Sequence, residues 1–115
     1  DSLSSFTEDE LDQLPVGYIG LDNAGNVVSY NAKEQQLSGL NQESVIGRHF
    51  FRDIAPCTMV KEFEGTFRSM VESRRAASES LDFVFSFVSG DRFVSVTIEV
   101  NPDENQNCLI VRVTN

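Results

Sequence analysis

The alternation of apolar and polar positions places strands toward both ends of the chain and helices between them. Val16 to Leu21 and Val27 to Tyr30 read as two strands. Asp22-Asn23-Ala24-Gly25-Asn26 joins them, a run that tolerates or favours left-handed backbone, so the pair is a hairpin. Leu81, Phe83, Phe85 and Phe87 recur at period two and share one face of a third strand. Phe93 to Val100 and Cys108 to Val113 complete the set, with turns over Ser89-Gly90-Asp91 and Asn101 to Asn107. Between the strands, Lys61 to Arg74 carries Phe63, Phe67, Met70 and Val71 at i, i+4, i+7 and i+8. That is one apolar face of an amphipathic helix, read as core rather than as a cofactor-binding face. Two shorter helices precede it. Asn31 caps Ala32 to Leu37, which Gly39 ends, and Asn41 to Val45 is closed by Gly47. Phe50 to Thr58 reads as irregular, with a helical turn. This order gives an α+β domain with one mainly antiparallel sheet, helices over one face, and a pocket-sized gap beneath them.

Thr7-Glu8-Asp9-Glu10 has capping-box form, and Phe6 and Leu11 are placed for a hydrophobic staple. Pro15 stops this helix near Leu14. So short a helix is marginal alone and must dock on a sheet or on a second copy. Phe6, Leu11 and Leu14 therefore predict a weak homodimer through this segment, strengthened by salt. The division expected is a capping helix segment over 1–15 and a globular domain over 16–115.

Length and charge narrow the classes. At 115 residues the chain is one domain, and 40% hydrophobic with 23% charged residues is the balance of a folded soluble globule. A net charge of −9 disfavours phosphate backbones and anionic membranes, so neither nucleic acid nor a membrane is an expected partner. No apolar run is long enough to span a bilayer and no signal segment is visible. The two cysteines, Cys57 and Cys108, have neither metal-type nor disulfide-framework spacing, which suggests a reducing cytoplasm. The chain starts at Asp1 rather than Met, so it is expected to be part of something longer.

The candidate chemistry centres on Ile54-Ala55-Pro56-Cys57-Thr58. A thiol on a proline turn beside Phe50-Phe51 is either a small packed hydrophobe or the carrier of a covalent ligand. Tyr30, Glu34 and Ser38 fall at i, i+4 and i+8, so a phenol, a carboxyl and a hydroxyl line up on one helix side. Each also has a plainer role. Glu34 stands at N3 of a capped helix, Tyr30 suits an edge strand, and Ser38 suits a helix C-terminus. His49 is expected on the surface, and the alternative is a haem ligand, although no Cys-x-x-Cys-His attachment motif exists. No Ser-His-Asp set or glycine-rich phosphate loop is visible, so an enzyme is not expected.

Several of these runs occur together in one family. Leu21-Asp22 with Gly25-Asn26, Tyr30-Asn31-Ala32-Lys33-Glu34, Gly39, Val45-Ile46-Gly47, Phe50-Phe51, Ala55-Pro56-Cys57-Thr58 and Glu62-Phe63 resemble the photoactive yellow proteins, a family of PAS domains. The similarity spans nearly the whole chain, and the Ala-Pro-Cys-Thr run is its most specific part. The resemblance implies a PAS fold, with a five-stranded antiparallel sheet, flanking short helices and one longer helix. It implies a blue-light sensor for signal transduction, with other domains of a longer protein as partners. It also implies p-coumaric acid (4-hydroxycinnamate) in thioester linkage at Cys57. Tyr30 and Glu34 would hydrogen-bond the phenolate, Ser38 would stand for a threonine supporting Tyr30, and Phe50 and Phe85 would wall the pocket. The chain departs from the family at Leu40, which takes the place of an arginine, at Phe83 and Phe87, which take the place of tyrosines, and in its shorter N-terminal cap. The alternative within the same fold is a module without this chromophore that dimerises or binds another small ligand.

Overall fold

The computed structural model describes residues 7–87 and 90–114. Five strands form one antiparallel sheet: β1 (Gly17–Leu21), β2 (Val27–Tyr30), β3 (Ala77–Phe87), β4 (Gly90–Asn101) and β5 (Gln106–Val113). Their spatial order is β2-β1-β5-β4-β3, so the first and last strands of the chain meet in the middle. The predicted strands are all present, with β3 and β4 starting earlier than the hydrophobic pattern indicates. The predicted staple at Phe6, the side chain of Phe87 and Ser89 of the third turn lie outside the described residues.

Helices α1 (Glu8–Asp12), α2 (Ala32–Ser38), α3 (Gln42–Val45) and α4 (Thr66–Glu72) complete the domain, with the short turns between α3 and α4. Register decides which side chains face the helices. Leu81 pairs with Val96 and Phe83 with Val94, and Val96 pairs in turn with Val111 on β5. These apolar groups form the inner face, onto which Phe50, Phe51, Phe63 and Phe67 pack, each 2% exposed or less. The rings meet edge-on, Phe63 with Phe83 at 5.1 Å and Phe50 with Phe51 at 5.2 Å between centroids. Such pairs contribute about 0.5–1.5 kcal/mol each beyond burial. The predicted helix over 61–74 begins with a wide π-type turn at Lys61–Gly65 and runs straight into α4. Arg74, at φ +58°, leaves the helical region and ends it.

α1 lies on the other face of the sheet. Leu11 is buried with Tyr18 and Cys108, and Leu14 and Ile110 pack against them. The capping box forms as predicted, with Glu10 N donating to Thr7 Oγ1 and Thr7 N to Glu10 Oε1. Leu11 and Leu14, the groups expected to pair with a second copy, are thus used on the chain's own sheet.

One side chain joins these layers. Asn31 Oδ1 accepts from Glu34 N at 3.0 Å, as a helix cap should, and also from Tyr18 N at 2.9 Å. Its Nδ2 donates to Leu11 O at 2.7 Å and Val16 O at 3.0 Å. Asn31 is 2% exposed, so no bulk water replaces a lost bond. Asn31→Ala is therefore expected to lose roughly 3 kcal/mol, the cost of a cap plus stranded buried backbone groups. Asn41→Ala, which removes the exposed cap of α3, should lose only about 1 kcal/mol. Denaturant midpoints of the two variants check this, and equal losses would show that Asn31 acts as a cap alone.

Candidate functional site

β2 passes into α2 with only Asn31 between them, so Tyr30 stands at the head of the helix and Glu34 and Ser38 follow one and two turns later. All three face inward. The Tyr30 hydroxyl donates to Ser38 Oγ at 2.8 Å. Gly39 adopts the left-handed conformation that ends α2, and Leu40 N returns to Ser38 Oγ at 3.1 Å. This turn brings Leu40 to the rim.

The opposite wall comes from the segment that the sequence leaves irregular. Phe50–Ile54 forms a π-type turn and Pro56–Thr58 a 3₁₀ turn with proline in its first positions. Thr58 Oγ1 and N both donate to Ala55 O, at 2.6 and 2.9 Å, which fixes the turn carrying Cys57. Phe85 and Ser86 close the site from β3.

The result is one cavity of about 110 Å³, lined by Tyr30, Glu34, Ser38, Phe50, Cys57 and Phe85, with Leu40, Ile54, Ala55, Pro56 and Ser86. All six residues singled out in the sequence meet there. Ile54, Ala55 and Pro56 come from the stretch already singled out around Cys57, Leu40 was marked only as a departure from a family pattern, and Ser86 carried no signal. Cys57 is exposed and so stands at the mouth, while Glu34 is 2% exposed and forms the floor.

The floor is electrostatically unusual. Among the described residues, buried Glu34 Oε1 has no hydrogen-bond partner. Burial pushes the Glu34 carboxyl up to about 8, and contact with the Tyr30 hydroxyl offsets only part of that. Tyr30 is in turn pushed well above the usual phenol range, first by burial and then by the charge Glu34 would carry. Among the described residues, none that is basic lines the cavity. Arg52 and Arg92 are exposed and outside its wall.

The other cysteine differs in every respect. Cys108 is 2% exposed beneath α1, and burial, with the charge of Glu99 next in effect, pushes its thiol up to about 12. His49 corrects the expectation of a surface histidine, being 5% exposed. Its Nδ1 accepts from Arg52 N at 3.2 Å, and its Nε2 faces Ala24 O at 2.9 Å. With Nδ1 accepting, Nε2 is left to donate, so both nitrogens are engaged within the fold and the ring offers haem no free lone pair. It packs against Gly25, whose φ of +96° and missing side chain are both needed there. Among the described residues no cluster of three or more metal-ligating side chains exists.

Comparison with known proteins follows the same lines. Residues 6–111 match the PAS fold family model. A photoactive yellow protein of Halochromatium salexigens is 40% identical over 87 residues, 76% of this chain and 69% of that protein. One from Rhodothalassium salexigens is 39% identical over 88 residues, 76% and 66% of the two chains. Among solved structures, the photoactive yellow protein domain of the sensor histidine kinase Ppr from Rhodospirillum centenum superimposes with a TM-score of 0.89 at 35% identity. That match covers 96% of each chain.

The raised Glu34 carboxyl has a consequence for stability. In the unfolded chain it titrates near 4.5, in the folded protein near 8. Between those values the native state holds a proton that the unfolded state has lost. Stability should therefore be fully present below about 4.5 and fall as pH rises through about 8. Glu34→Gln should remove this slope. Urea midpoints across the interval check it, and an unchanged slope in the variant would assign the titration to another group.

Proposed function

The chain belongs to the PAS family, and within it to the photoactive yellow proteins, and from that premise we propose that it is a blue-light sensory module that carries p-coumaric acid as a thioester on Cys57. The observation that supports this most is the meeting of an accessible thiol and a buried, unpartnered carboxyl oxygen in one cavity. Cys57, as the thiolate, would attack the acyl carbon of an activated thioester donor; the new sulfur–acyl bond forms as the donor's own acyl–sulfur bond breaks, and the donor's sulfur leaves as a thiolate. Glu34 would donate to the far end of the ligand, Tyr30 would join it once the Ser38 hydroxyl turns to donate to the Tyr30 oxygen, and Phe50 and Phe85 would flank it. When bound, the group supplies visible absorption and a double bond that light isomerises.

Glu34 then matters as a proton store. Its neutral form can donate a hydrogen bond, which an ordinary carboxylate cannot. Release of the proton leaves a carboxylate in a cavity lined by no basic residue, a state costing several kcal/mol. Relief of that cost by local opening is the output step we propose, passed to other domains of a longer signalling protein in the cytoplasm. Pairing of two copies through the N-terminal segment would have to use groups other than Leu11 and Leu14.

A second reading has its own observation. Leu40 at the rim, in place of any cation, suits a PAS module that holds a neutral small ligand without a covalent bond. Reconstitution with activated p-coumarate separates the two. Intact mass and peptide mapping should show one adduct, on Cys57 and not on Cys108, with a yellow product. An adduct surviving Cys57→Ala would sink the assignment to Cys57, and none on the parent chain would rule for the second reading. In the reconstituted protein Glu34→Gln should shift absorption to the red and slow formation of the blue-shifted state, because an amide donates more weakly and has no proton to release. Static and flash spectroscopy check this, and an unmoved spectrum would reduce Glu34 to a helix-cap residue.

A further inference from the structure

Gly17 opens β1, is buried, and pairs with Val111 on the inner face of the sheet. A side chain there would point at α2, which packs on β1. A β-carbon built on Gly17 collides with Glu34 Oε1 and comes within 3.2 Å of Glu34 Cδ. The atom it would strike is the oxygen that has no hydrogen-bond partner. The carboxyl thus lies against bare strand backbone, in space that any other residue at position 17 would fill. Strand propensity argues against glycine in such a place, since it weakens a strand unless something approaches closely. Here the approaching group is the Glu34 carboxyl.

We infer that Gly17 is a positioning residue for Glu34: its missing side chain makes the seat that keeps the carboxyl at the cavity floor with one oxygen unpartnered. The titratable group facing Glu34 is the Tyr30 phenol at the end of β2, with the Cys57 thiol across the cavity on its turn. β1 offers it only backbone, and Phe50 and Phe85 carry no charge. A methyl group at position 17 drives the carboxyl off its seat, toward the cavity and water, where its ionised form is hydrated. The inference deepens the sensory reading of this site, but its test needs no chromophore.

The experiment uses the unloaded chain labelled with ¹³C at glutamate carboxyls, with Glu34→Gln identifying the Glu34 signal. In Gly17→Ala the Glu34 titration should move down toward the ordinary carboxylate range. Gly20→Ala is the control. It lies on the same strand, but its added carbon meets Ser29 and Val28, not Glu34. Its Glu34 signal should titrate as in the parent. An unmoved Glu34 titration in Gly17→Ala, or an equal shift in both variants, would overturn the inference. Should Gly17→Ala fail to fold, the double variant with Glu34→Ala decides. Folding restored by emptying the seat supports the assignment, and continued failure shows that Gly17 serves the strand alone. Neither result depends on whether Cys57 accepts an acyl group.

Discussion

A carboxyl held in an apolar floor without a cation is the constraint around which this small domain is built. An unpartnered buried polar atom costs about 1–3 kcal/mol even when neutral. The fold tolerates Glu34 because three elements hold it in place. Asn31 caps the helix that carries it, Tyr30 and Ser38 bridge its flank, and β1 gives way at Gly17. The aromatic cluster of Phe50, Phe51, Phe63 and Phe67 supplies the burial that offsets the cost. The raised carboxyl of Glu34 is thus an outcome of packing: it is buried, and among the described residues no basic side chain lines its cavity.

The two cysteines show how far place outweighs residue type. Both are free thiols in one chain. Cys57 projects from a proline-fixed turn at the rim of a cavity, whereas Cys108 is buried with Leu11 and Tyr18, next to an acidic side chain. A reagent that enters the cavity meets the first, while the second lies outside its lining.

Much of this was legible because its causes are local. Thr7 with Glu10, Asn31 and Asn41 are caps that follow from side-chain reach, and the period-two run at Leu81 to Phe85 gives the face of β3 directly. The spacing of Tyr30, Glu34 and Ser38 put them on one line, the proline turn marked Cys57 as a candidate, and the family resemblance supplied its role together with the walls Phe50 and Phe85. What escaped depends on distant partners. The wide turns at Phe50–Ile54 and Lys61–Gly65 do not show in a helical periodicity. His49 is polar and solitary, and only its docking on the Ala24–Gly25 turn reveals it as interior. Gly17 reads as an unremarkable strand residue until α2 is laid across it. Leu11 and Leu14 show apolar character but not which surface they cover.

The amide of Asn31 reaches α1 through Leu11, the β1 entry through Val16 and Tyr18, and α2 through Glu34, all from one buried group. Such an arrangement has no one-way direction. If displacement of α1 weakens the seating of α2, displacement of α2 weakens the seating of α1 by the same free energy. The N-terminal helix and the cavity floor therefore share one hinge pin, and a protein that clamps α1 from outside would stiffen the pocket without touching it.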